Sequence, residues 1–477
     1  MLLPQTSEVE TLRGLAEAED REGAIAESSR WTEERIAASG RGLDLTEAAL
    51  EGLDLSGFDL RRSILNRALL HSTNLSGANL REASLICPGM ERANFSGADL
   101  TGAYMHALAA QVVNFEGADL TDLVDATGAL FHGCNLAGVR ASGAVLAGTT
   151  FYQCDLSRAD FTSANLQGAA INECVLDQSK LESALVSQLT ITKCRMQDVD
   201  LRHASGQGLN LQRPTSCDGL LLDHANLPRL RCDEVHGDRL SAVRFTAVGA
   251  DFHGCRWSAP SFAHADLTHS KWLSCSADGA DLRGAKLSGA SIRDCSLTEP
   301  CLEGASGENL QVVESDLRGA KMAHFAGRCA VFRDADLEGA DLRHAYLYRA
   351  MLTGDPPLAM RMKGANLDSA VLGQAYLTAD LRGASLRNAN GVYARLNQSD
   401  LTGADLAGFN AFQASMVKTH LTGARLHGLS APIFIDRCPG FAEAIAQTRQ
   451  EDPEAAGLES FVRTLAEALK AAHRGST

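Results

Sequence analysis

Cysteine and histidine are the side chains of this sequence whose spacing could support chemistry. Seven of the thirteen cysteines fall into two series with an interval of twenty residues, and the tripeptide Phe-His-Gly precedes one cysteine of each series. The two series are Cys134, Cys154, Cys174 and Cys194, and Cys255, Cys275 and Cys295. Thiolate and imidazole groups are the usual ligands of zinc, and paired thiols form disulfides.

The arrangement of these groups does not predict a metal site. A cysteine that points inward and a histidine two residues before it that points outward do not converge on one ion, and the sequence contains no Cys-x-x-Cys or His-x-x-x-His pair. The interval predicts instead that the cysteines form columns of small buried side chains, in positions otherwise held by alanine. Stacked cysteines could approach bridging distance, but a chain of this size without a secretory signal is expected to keep its thiols reduced.

A second period, of five residues, indicates which backbone must carry these columns. Large apolar residues occupy every fifth position between residues 75 and 105. They are Leu75, Leu80, Leu85, Met90, Phe95, Leu100 and Met105. Because an ordinary helix or strand would scatter them over several faces, the period predicts a backbone that turns a corner every five residues and stacks on itself as a solenoid. The cysteine interval then predicts four units in each coil.

The repeating unit reads Ala-(Asp/Asn)-Leu followed by two variable residues. Examples are Ala98-Asp99-Leu100, Ala164-Asn165-Leu166, Ala335-Asp336-Leu337 and Ala404-Asp405-Leu406. These units resemble the pentapeptide-repeat family over about residues 41–435. The resemblance implies an all-β solenoid, a right-handed four-sided parallel β-helix of about 20 coils, in which the apolar centre and the small residue two before it point inward.

Residues outside the repeat predict helices at both ends. We predict a helical N-terminal segment or cap at 1–40, the β-helix at 41–435 and a helical C-terminal segment at 436–477. In the C-terminal segment, one face of an amphipathic helix carries Leu458, Phe461, Val462, Leu465 and Leu469. This helix either caps the open end of the solenoid or forms a homodimer, as C-terminal segments do in the resembled family.

The register of the repeat changes at several places. Centres fall on multiples of five up to Leu120 and on positions ending in 1 or 6 from Phe131. They fall on positions ending in 2 or 7 from Phe252, and on positions ending in 1 or 6 again from Leu381. Each slip requires a bulge or loop to absorb the odd residue. The longest irregular stretch, at 205–251, is predicted to be a kink.

A loop is predicted at residues 353–361. Asp355, Pro356, Pro357 and Leu358 interrupt the motif there, and prolines cannot donate to the ladder between coils. Insertions in repeat arrays often map to the binding face. The segment is therefore either a partner-binding loop or a tolerated surface loop.

Composition limits the partners of this chain. Its formal net charge is −15, and residues 41–135 hold 12 acidic and 6 basic side chains, so the basic footprint of a nucleic-acid-binding protein is missing. The first forty residues contain no apolar signal-peptide core, and no apolar run approaches the length of a membrane span. We expect a cytoplasmic protein that contacts neither nucleic acid nor membrane directly.

Catalysis is not expected. No phosphate-binding loop, nucleophile elbow or Ser-His-Asp set is recognisable, and 5% aromatic residues offer little material for a deep pocket. We predict no catalytic residues, cofactor-binding residues or metal ligands. A polysaccharide lyase of the other β-helix type would require a groove of carboxylate or basic groups that the spacing does not assemble.

The favoured function is a non-enzymatic scaffold for protein–protein interaction. Long Cys-containing arrays with a helical segment before the first repeats look like family members found with bacterial type VI secretion, which implies an adaptor for spike-associated effectors. The alternative is a DNA mimic, because some family members protect DNA gyrase or topoisomerase IV from poisons by presenting an acidic rod. The later coils of this chain carry many arginines and lysines, which agrees only weakly with mimicry.

Overall fold

The computed structural model of the protein describes residues 4–354, 360–429 and 434–451. These residues form a parallel β-solenoid with short helices near both of their ends, so the predicted fold class is confirmed. The chain divides into two compact units, Met1–Phe245 and Thr246–Thr477. The boundary between the units falls inside the irregular stretch 205–251.

Each five-residue unit makes one bridge to the next turn and one tight corner. The amide of Asp99 donates to the carbonyl of Ala78 in the preceding turn at 2.9 Å, and the amide of Leu100 donates to the carbonyl of Asp119 in the following turn at 2.7 Å. Leu100 is fully buried, whereas Gly102 forms the corner with a φ of 68°. Because this left-handed conformation costs glycine nothing, glycine recurs two residues after the centre.

Eight of the nine strands described in the first unit lie along one face of the solenoid. β1 to β8 pair in parallel in the order of the sequence, so that Met90 lies opposite Ala110 and Ile171 opposite Ile191. The strands of this unit are β1 (Gly89–Glu91), β2 (Ala109–Gln111), β3 (Leu130–His132), β4 (Thr150–Tyr152), β5 (Ala170–Asn172), β6 (Thr190–Thr192), β7 (Asn210–Gln212), β8 (Arg231–Asp233) and β9 (His236–Asp238). Isolated parallel bridges join the turns on the other faces.

Two helices precede the first turn, α1 (Pro4–Ala16) and α2 (Arg21–Ser39). The side chain of Asp20 accepts from the amide of Gly23 at the start of α2, and Gly40 ends the helix with a φ of 71°. These are ordinary start and stop signals, in which a side-chain oxygen binds a free amide and a left-handed residue closes the last turn.

Side chains of both helices bind backbone groups of the first solenoid turn. The hydroxyl of Thr32 donates to the carbonyl of Asp59 at 2.7 Å, and the hydroxyl of Ser28 accepts from the amide of the same residue at 3.2 Å. The carboxylate of Glu8 accepts from the amide of Asp44 at 2.8 Å. Since these backbone groups have no preceding turn to pair with, the helices provide the partners that an open solenoid edge lacks.

The second unit repeats the one-faced arrangement of strands. Its main sheet has the order β10, β12, β13, β14, β15, β16, β18, β17, and β19 pairs with β20. The elements are β10 (Asp251–His253), β11 (Arg256–Ser258), β12 (Lys271–Leu273), β13 (Ser291–Arg293), β14 (Gln311–Val313), β15 (Val331–Arg333), β16 (Met351–Thr353), β17 (Met360–Arg361), β18 (Tyr376–Asp380), β19 (Ser415–Val417), β20 (Phe434–Asp436) and α3 (Phe441–Glu451). The hydroxyl of Thr448 on α3 accepts from the amide of Leu426 at 3.2 Å.

About 17 turns of the solenoid carry a regular strand on the strand face, against the about 20 coils predicted from sequence. Other turns have no regular strand there. Ala49, Leu69 and Arg395 are held there by isolated bridges to their neighbours.

Most partners are twenty residues apart, and the exceptions coincide with the register shifts in the sequence. The interval becomes 21 where Tyr104 lies opposite Asp125, because Val124 is an extra residue in that turn. It becomes 19 where Asn366 lies opposite Ser385. Single-residue insertions and deletions are thus absorbed locally while the ladder on both sides continues.

Stacked aromatic rings fill part of the core. In the first unit the rings of Phe95 and Phe115 stack at 5.1 Å between centroids, and those of Phe131 and Phe151 stack at 5.0 Å. These side chains are at most 1% exposed. With its interior occupied by packed side chains, the solenoid presents only its outer faces to ligands.

Candidate functional site

The loop selected from sequence belongs to a turn that is longer than its neighbours. Met351 on β16 lies opposite Tyr376 on β18, and Asp336 lies opposite Arg361, so this turn takes 25 residues instead of twenty. The four predicted loop residues Asp355, Pro356, Pro357 and Leu358 lie outside the described residues, and their role stays a prediction. The same holds for Leu458, Phe461, Val462, Leu465 and Leu469 of the predicted C-terminal helix.

The turns on either side of this long turn carry a group of outward-facing aromatic and arginine side chains, which we call the aromatic patch. Its members are Tyr346, Tyr348, Arg349, Met351, Tyr376, Tyr393, Arg395 and Phe412. Its large hydrophobic members other than the half-buried Tyr348 are each 40 to 47% exposed. All of them belong to the second unit.

Stacking of successive turns assembles the patch from residues far apart in sequence. Met351, Tyr376, Arg395 and Ser415 occupy consecutive rungs of one parallel ladder. Neighbouring rungs of such a ladder are about 4.8 Å apart, which places their side chains side by side. The backbone therefore holds these side chains in a fixed column.

Contacts among the side chains order the patch further. The guanidinium of Arg395 lies 4.7 Å from the ring centroid of Tyr376, and the ring of Tyr393 meets that of Phe412 edge to face at 6.2 Å. Cation–π and edge-to-face pairs are both attractive geometries. These contacts restrict the rotamers of four exposed side chains before any partner arrives.

A glycine makes room for one ring of the patch. A Cβ atom at Gly373 would lie 3.1 Å from Cδ2 of Tyr348. A side chain at residue 373 would therefore be in tight contact with the ring of Tyr348, which glycine avoids. Nearby, Nε of Arg349 donates to Oε1 of Gln374 at 2.8 Å.

A cleft of about 540 Å³ opens within the patch. The described residues that line it are Arg349, Gln374, Tyr376, Tyr393, Arg395, Gln413 and Ser415, which bring two positive charges and no carboxylate. Among the described residues, neither arginine forms an ion pair with an acidic side chain. Polar donors and aromatic faces therefore share one concave surface.

Sequence reasoning missed this patch, although a signal was present. Tyr346 and Tyr376 each stand between an alanine and a leucine, where the repeat otherwise has Asp or Asn. A bulky aromatic side chain at an outward position of the unit is not needed for the fold. Aromatic residues in place of Asp or Asn at outward positions of the repeat were therefore the signal in the sequence that could have indicated the patch.

Acidic side chains elsewhere are engaged in structural contacts. The side chain of Asp281 binds Arg283, two residues later, at 2.6 Å and also accepts from the backbone amide of that arginine. Asp341 with Arg343 and Asp380 with Arg382 repeat the arrangement. Hydrogen bonds from the arginine lower the pKa of each of these carboxyl groups, against the opposing effect of partial burial.

A second cleft, of about 550 Å³, is charged but has no constellation for catalysis or metal binding. Its lining includes Asp316 paired with Arg318 at 2.6 Å and Asp336 paired with Arg361 at 3.2 Å. Within the described ranges, no three or more His, Cys, Asp or Glu side chains are grouped so that they could hold a metal ion. Arginines thus pair with Asp316 and Asp336, two of the carboxylates that line this cleft.

The cysteine columns have a structural role that the sequence did not reveal. None of the thirteen cysteines is in a disulfide. The amide of Cys154 donates to Sγ of Cys174 at 3.3 Å, the amide of Cys174 donates to Sγ of Cys194 at 3.3 Å, and Ser315 accepts in the same way from Cys295. Each side chain thus satisfies a backbone amide of the preceding turn, at a corner that recurs once per coil.

Burial raises the pKa of the thiol of Cys217, which lies outside the two columns, to about 12. Within the first column, hydrogen bonds with Cys134 and Cys174 lower the pKa of Cys154. Hydrogen bonding to Cys154, together with burial, raises the pKa of Cys134 as well. Because the thiolate is the reactive form, a protonated and buried thiol is inert.

One further finding concerns membranes. In the part of the chain that the structure describes, no helix combines the length and the apolar character that crossing a bilayer demands.

Comparison with solved structures finds several repeat proteins. HetL, a pentapeptide repeat protein involved in heterocyst differentiation regulation in the cyanobacterium Nostoc sp. strain PCC 7120, is 22% identical, and the match covers 44% of this chain and 87% of HetL with a TM-score of 0.19. Full-length QnrB1, a plasmid-mediated fluoroquinolone resistance protein, is 14% identical over 45% of this chain and 99% of QnrB1, with a TM-score of 0.20. Similarity this weak carries no argument about function. A comparison with curated proteins finds no significant match.

A family model gives the clearest result. Eight copies of the pentapeptide-repeat model match residues 44–81, 63–102, 127–162, 142–178, 261–298, 328–354, 361–408 and 392–428. Together these matches cover just over half of the sequence, and they coincide with turns whose centres are buried and whose bridges are parallel. The chain belongs to the pentapeptide-repeat family.

Proposed function

We propose that this protein is a non-enzymatic scaffold for protein–protein interaction, and that the aromatic patch is its binding surface. The observation that carries the proposal is the clustering of tyrosine, phenylalanine and arginine side chains on one exposed surface. Tyrosine and arginine dominate the energetic centres of protein interfaces. Contiguous exposed apolar surface is otherwise uncommon on soluble proteins.

The solenoid suits this role because it holds the patch rigidly. The amides of Tyr376 and Arg395 donate to Ala350 and Ala375 in the preceding turn at 2.9 and 2.8 Å. Because the backbone of the solenoid is already ordered, a partner that binds this surface does not have to order it. One of the main entropic costs of association is thereby removed.

The predicted loop adds to the proposed surface. Asp355, Pro356, Pro357 and Leu358 belong to the turn that also carries Tyr346, Arg349 and Met351. Insertions in repeat proteins tend to occur on the binding face. We therefore include this segment in the proposed contact region.

The partner that we propose is a spike protein or effector of bacterial type VI secretion, for which the scaffold would act as a cytoplasmic adaptor. This is supported by the likeness of the long Cys-containing array, with units such as Phe151-Tyr152-Gln153-Cys154-Asp155-Leu156, and of the helical segment before the first repeats. An adaptor requires binding surfaces and no chemistry.

A second candidate is a DNA mimic that binds DNA gyrase or topoisomerase IV. It is favoured by the excess of acidic side chains in residues 41–135. Several of these acids hold the fold together, since the carboxylate of Asp99 accepts from the amide of Thr101 and that of Asp59 binds Arg61. Acids paired with arginine, as Asp59 is, contribute little to the field of a DNA-like rod.

The test is affinity capture from a bacterial lysate with three forms of the full chain. They are the wild-type protein, the Tyr376→Ser variant and a Tyr104→Ser control, in which an equally exposed tyrosine of the first unit is removed from the same position of its unit. Spike or effector proteins that are captured by the wild type and the control, and lost with Tyr376→Ser, support the adaptor. Topoisomerase subunits that are captured equally by all three forms would favour the mimic and reject the patch.

A further inference from the structure

We propose that the cleft between Arg349 and Arg395 binds an acidic segment of a partner protein, in which carboxylates stand next to aromatic or aliphatic side chains. This inference rests on the proposed scaffold function and specifies the chemistry of its partner.

The first argument is a local reversal of charge. The whole chain has a net charge of −15, yet residues 369–379, 386–399 and 406–435 contain no aspartate or glutamate. Described residues of these stretches line the cleft in successive turns, among them Tyr376, Arg395 and Ser415. Among the described residues that line it, the cleft thus offers acidic partners two arginines and no acidic side chain.

The second argument is the geometry of the two arginines. The contact with the ring of Tyr376 holds Arg395, and the hydrogen bond to Gln374 uses only Nε of Arg349. Within the described ranges, the remaining N–H groups of both guanidinium groups have no side-chain acceptor and can bind a ligand. A planar guanidinium matches a carboxylate with two parallel hydrogen bonds, and preorganisation reduces the entropy lost when it does so.

The third argument is the mixture of surfaces in the cleft. Tyr376 and Tyr393 supply apolar ring faces that are 40% and 47% exposed. Gln374 and Gln413 supply amide donors and acceptors that suit a peptide backbone. A segment with alternating acidic and apolar side chains would satisfy all of these groups together.

A nucleic acid is a poorer fit to the same charges. Phosphate backbones are bound by many cations that track several successive charges, whereas the cleft lining offers two. The observations therefore favour a short acidic peptide.

The experiment is selection of random twelve-residue peptides, displayed on phage, against the full-length chain. We expect the selected peptides to be enriched in Asp and Glu next to Phe, Tyr or Leu. The best peptide, labelled with a fluorophore, should then lose about tenfold or more in affinity when its acidic residues are changed to amides, or when the protein carries Arg395→Glu. An Arg256→Glu control, at the equivalent position of another face, should leave the affinity within about twofold.

Three outcomes would overturn the proposal. They are selected peptides without acidic enrichment, binding that is insensitive to Arg395→Glu, and a single-stranded oligonucleotide that binds the cleft more tightly than the best peptide. A synthetic peptide of residues 452–477 that binds more tightly than any selected one, and is lost with Arg395→Glu, would identify the occupant as a segment of this chain. If the Tyr376→Ser variant still loses its captured partners while peptide selection shows no acidic preference, the scaffold function stands and only the acidic partner is rejected.

Discussion

The residue immediately before each apolar centre has different tasks in two regions of the molecule. In the first unit, Oδ1 of Asp99 accepts from the amide of Thr101 at 3.0 Å and from its hydroxyl at 2.6 Å. In the aromatic patch the same position holds Tyr376 and Arg395, which form no such local bonds but keep the backbone bonds to the preceding turn. The ladder and the buried centres therefore build the coil, and this outward position is available for function.

The largest effect is expected from the inner position that both regions share. Leu337 is fully buried, so Leu337→Asp should reduce the free energy of unfolding by about 3 to 5 kcal/mol, because it buries an unpaired carboxylate and loses apolar contacts. Chemical denaturation measures the change. A Leu337→Met control, which conserves volume, should cost less than about 1.5 kcal/mol. An unchanged midpoint for Leu337→Asp would show that the assigned centre is wrong.

The next largest effect separates binding from stability in the patch. Tyr376→Ser combined with Arg395→Glu should weaken binding of a captured partner about 30-fold or more, as expected for residues at the centre of an interface. Thermal unfolding should change little, because both side chains are exposed and surface changes usually cost under about 0.5 kcal/mol. If the double variant and Tyr104→Ser bind the captured partner with equal affinity, the aromatic patch has no binding role that the first unit lacks.

Acid titration tests the structural task of the paired aspartates. Hydrogen bonds from arginine lower the pKa of Asp281, Asp341 and Asp380, so their contribution to stability is present above the unfolded pKa of about 4 and is lost as the pH falls through the lower folded value. Changing their three arginine partners to glutamine should lower the melting temperature at pH 7 and have no effect near pH 2.

The arginines of these pairs are exposed and water screens the pairs, so the summed effect on the melting temperature should be moderate. Thermal unfolding between pH 2 and 7 gives the comparison. Parallel pH curves for the wild type and the triple variant would show that the pairs do not stabilise the fold.

The smallest effect concerns the conformational cost of a corner in the patch. Tyr393 has a φ of 61°, a left-handed conformation that a non-glycine residue adopts at a cost of roughly 1 kcal/mol. Asparagine tolerates this conformation better, so Tyr393→Asn should raise the free energy of unfolding by up to about 1 kcal/mol while weakening partner binding. A loss of stability would mean that the contact with Phe412 outweighs the backbone strain.

Much of the fold was predictable because the repeat is local. Every unit repeats the same inward centre, and register shifts such as that at Val124 are visible as a change in the position of the centres. The bridging role of the cysteines was not predictable, because it depends on a backbone amide left unpaired at a particular corner. The number of turns that carry a regular strand was not predictable either, because it depends on hydrogen-bond geometry rather than on the five-residue period of the sequence.

The candidate site was predicted only in part. The loop was assigned to residues 353–361, and the structure places five additional residues in this turn, but the four loop residues themselves are outside the described ranges. The patch was missed because its members span residues 346–412 and form one surface only when successive turns stack. The sequence was interpreted as ten residues that replace two units, which does not reveal a turn of 25 residues.

The five-residue period by itself determined that this protein is a solenoid, since only a backbone that turns at each unit can bury every fifth residue. Tertiary structure decided which side chains meet on its surface. Met351, Tyr376 and Arg395 are separated by 25 and 19 residues, and they share one ladder because a five-residue insertion and a one-residue deletion changed the stacking of successive turns. Function at such a surface depends on these pairings, because neighbours in space, about 4.8 Å apart, are set by hydrogen bonds between turns.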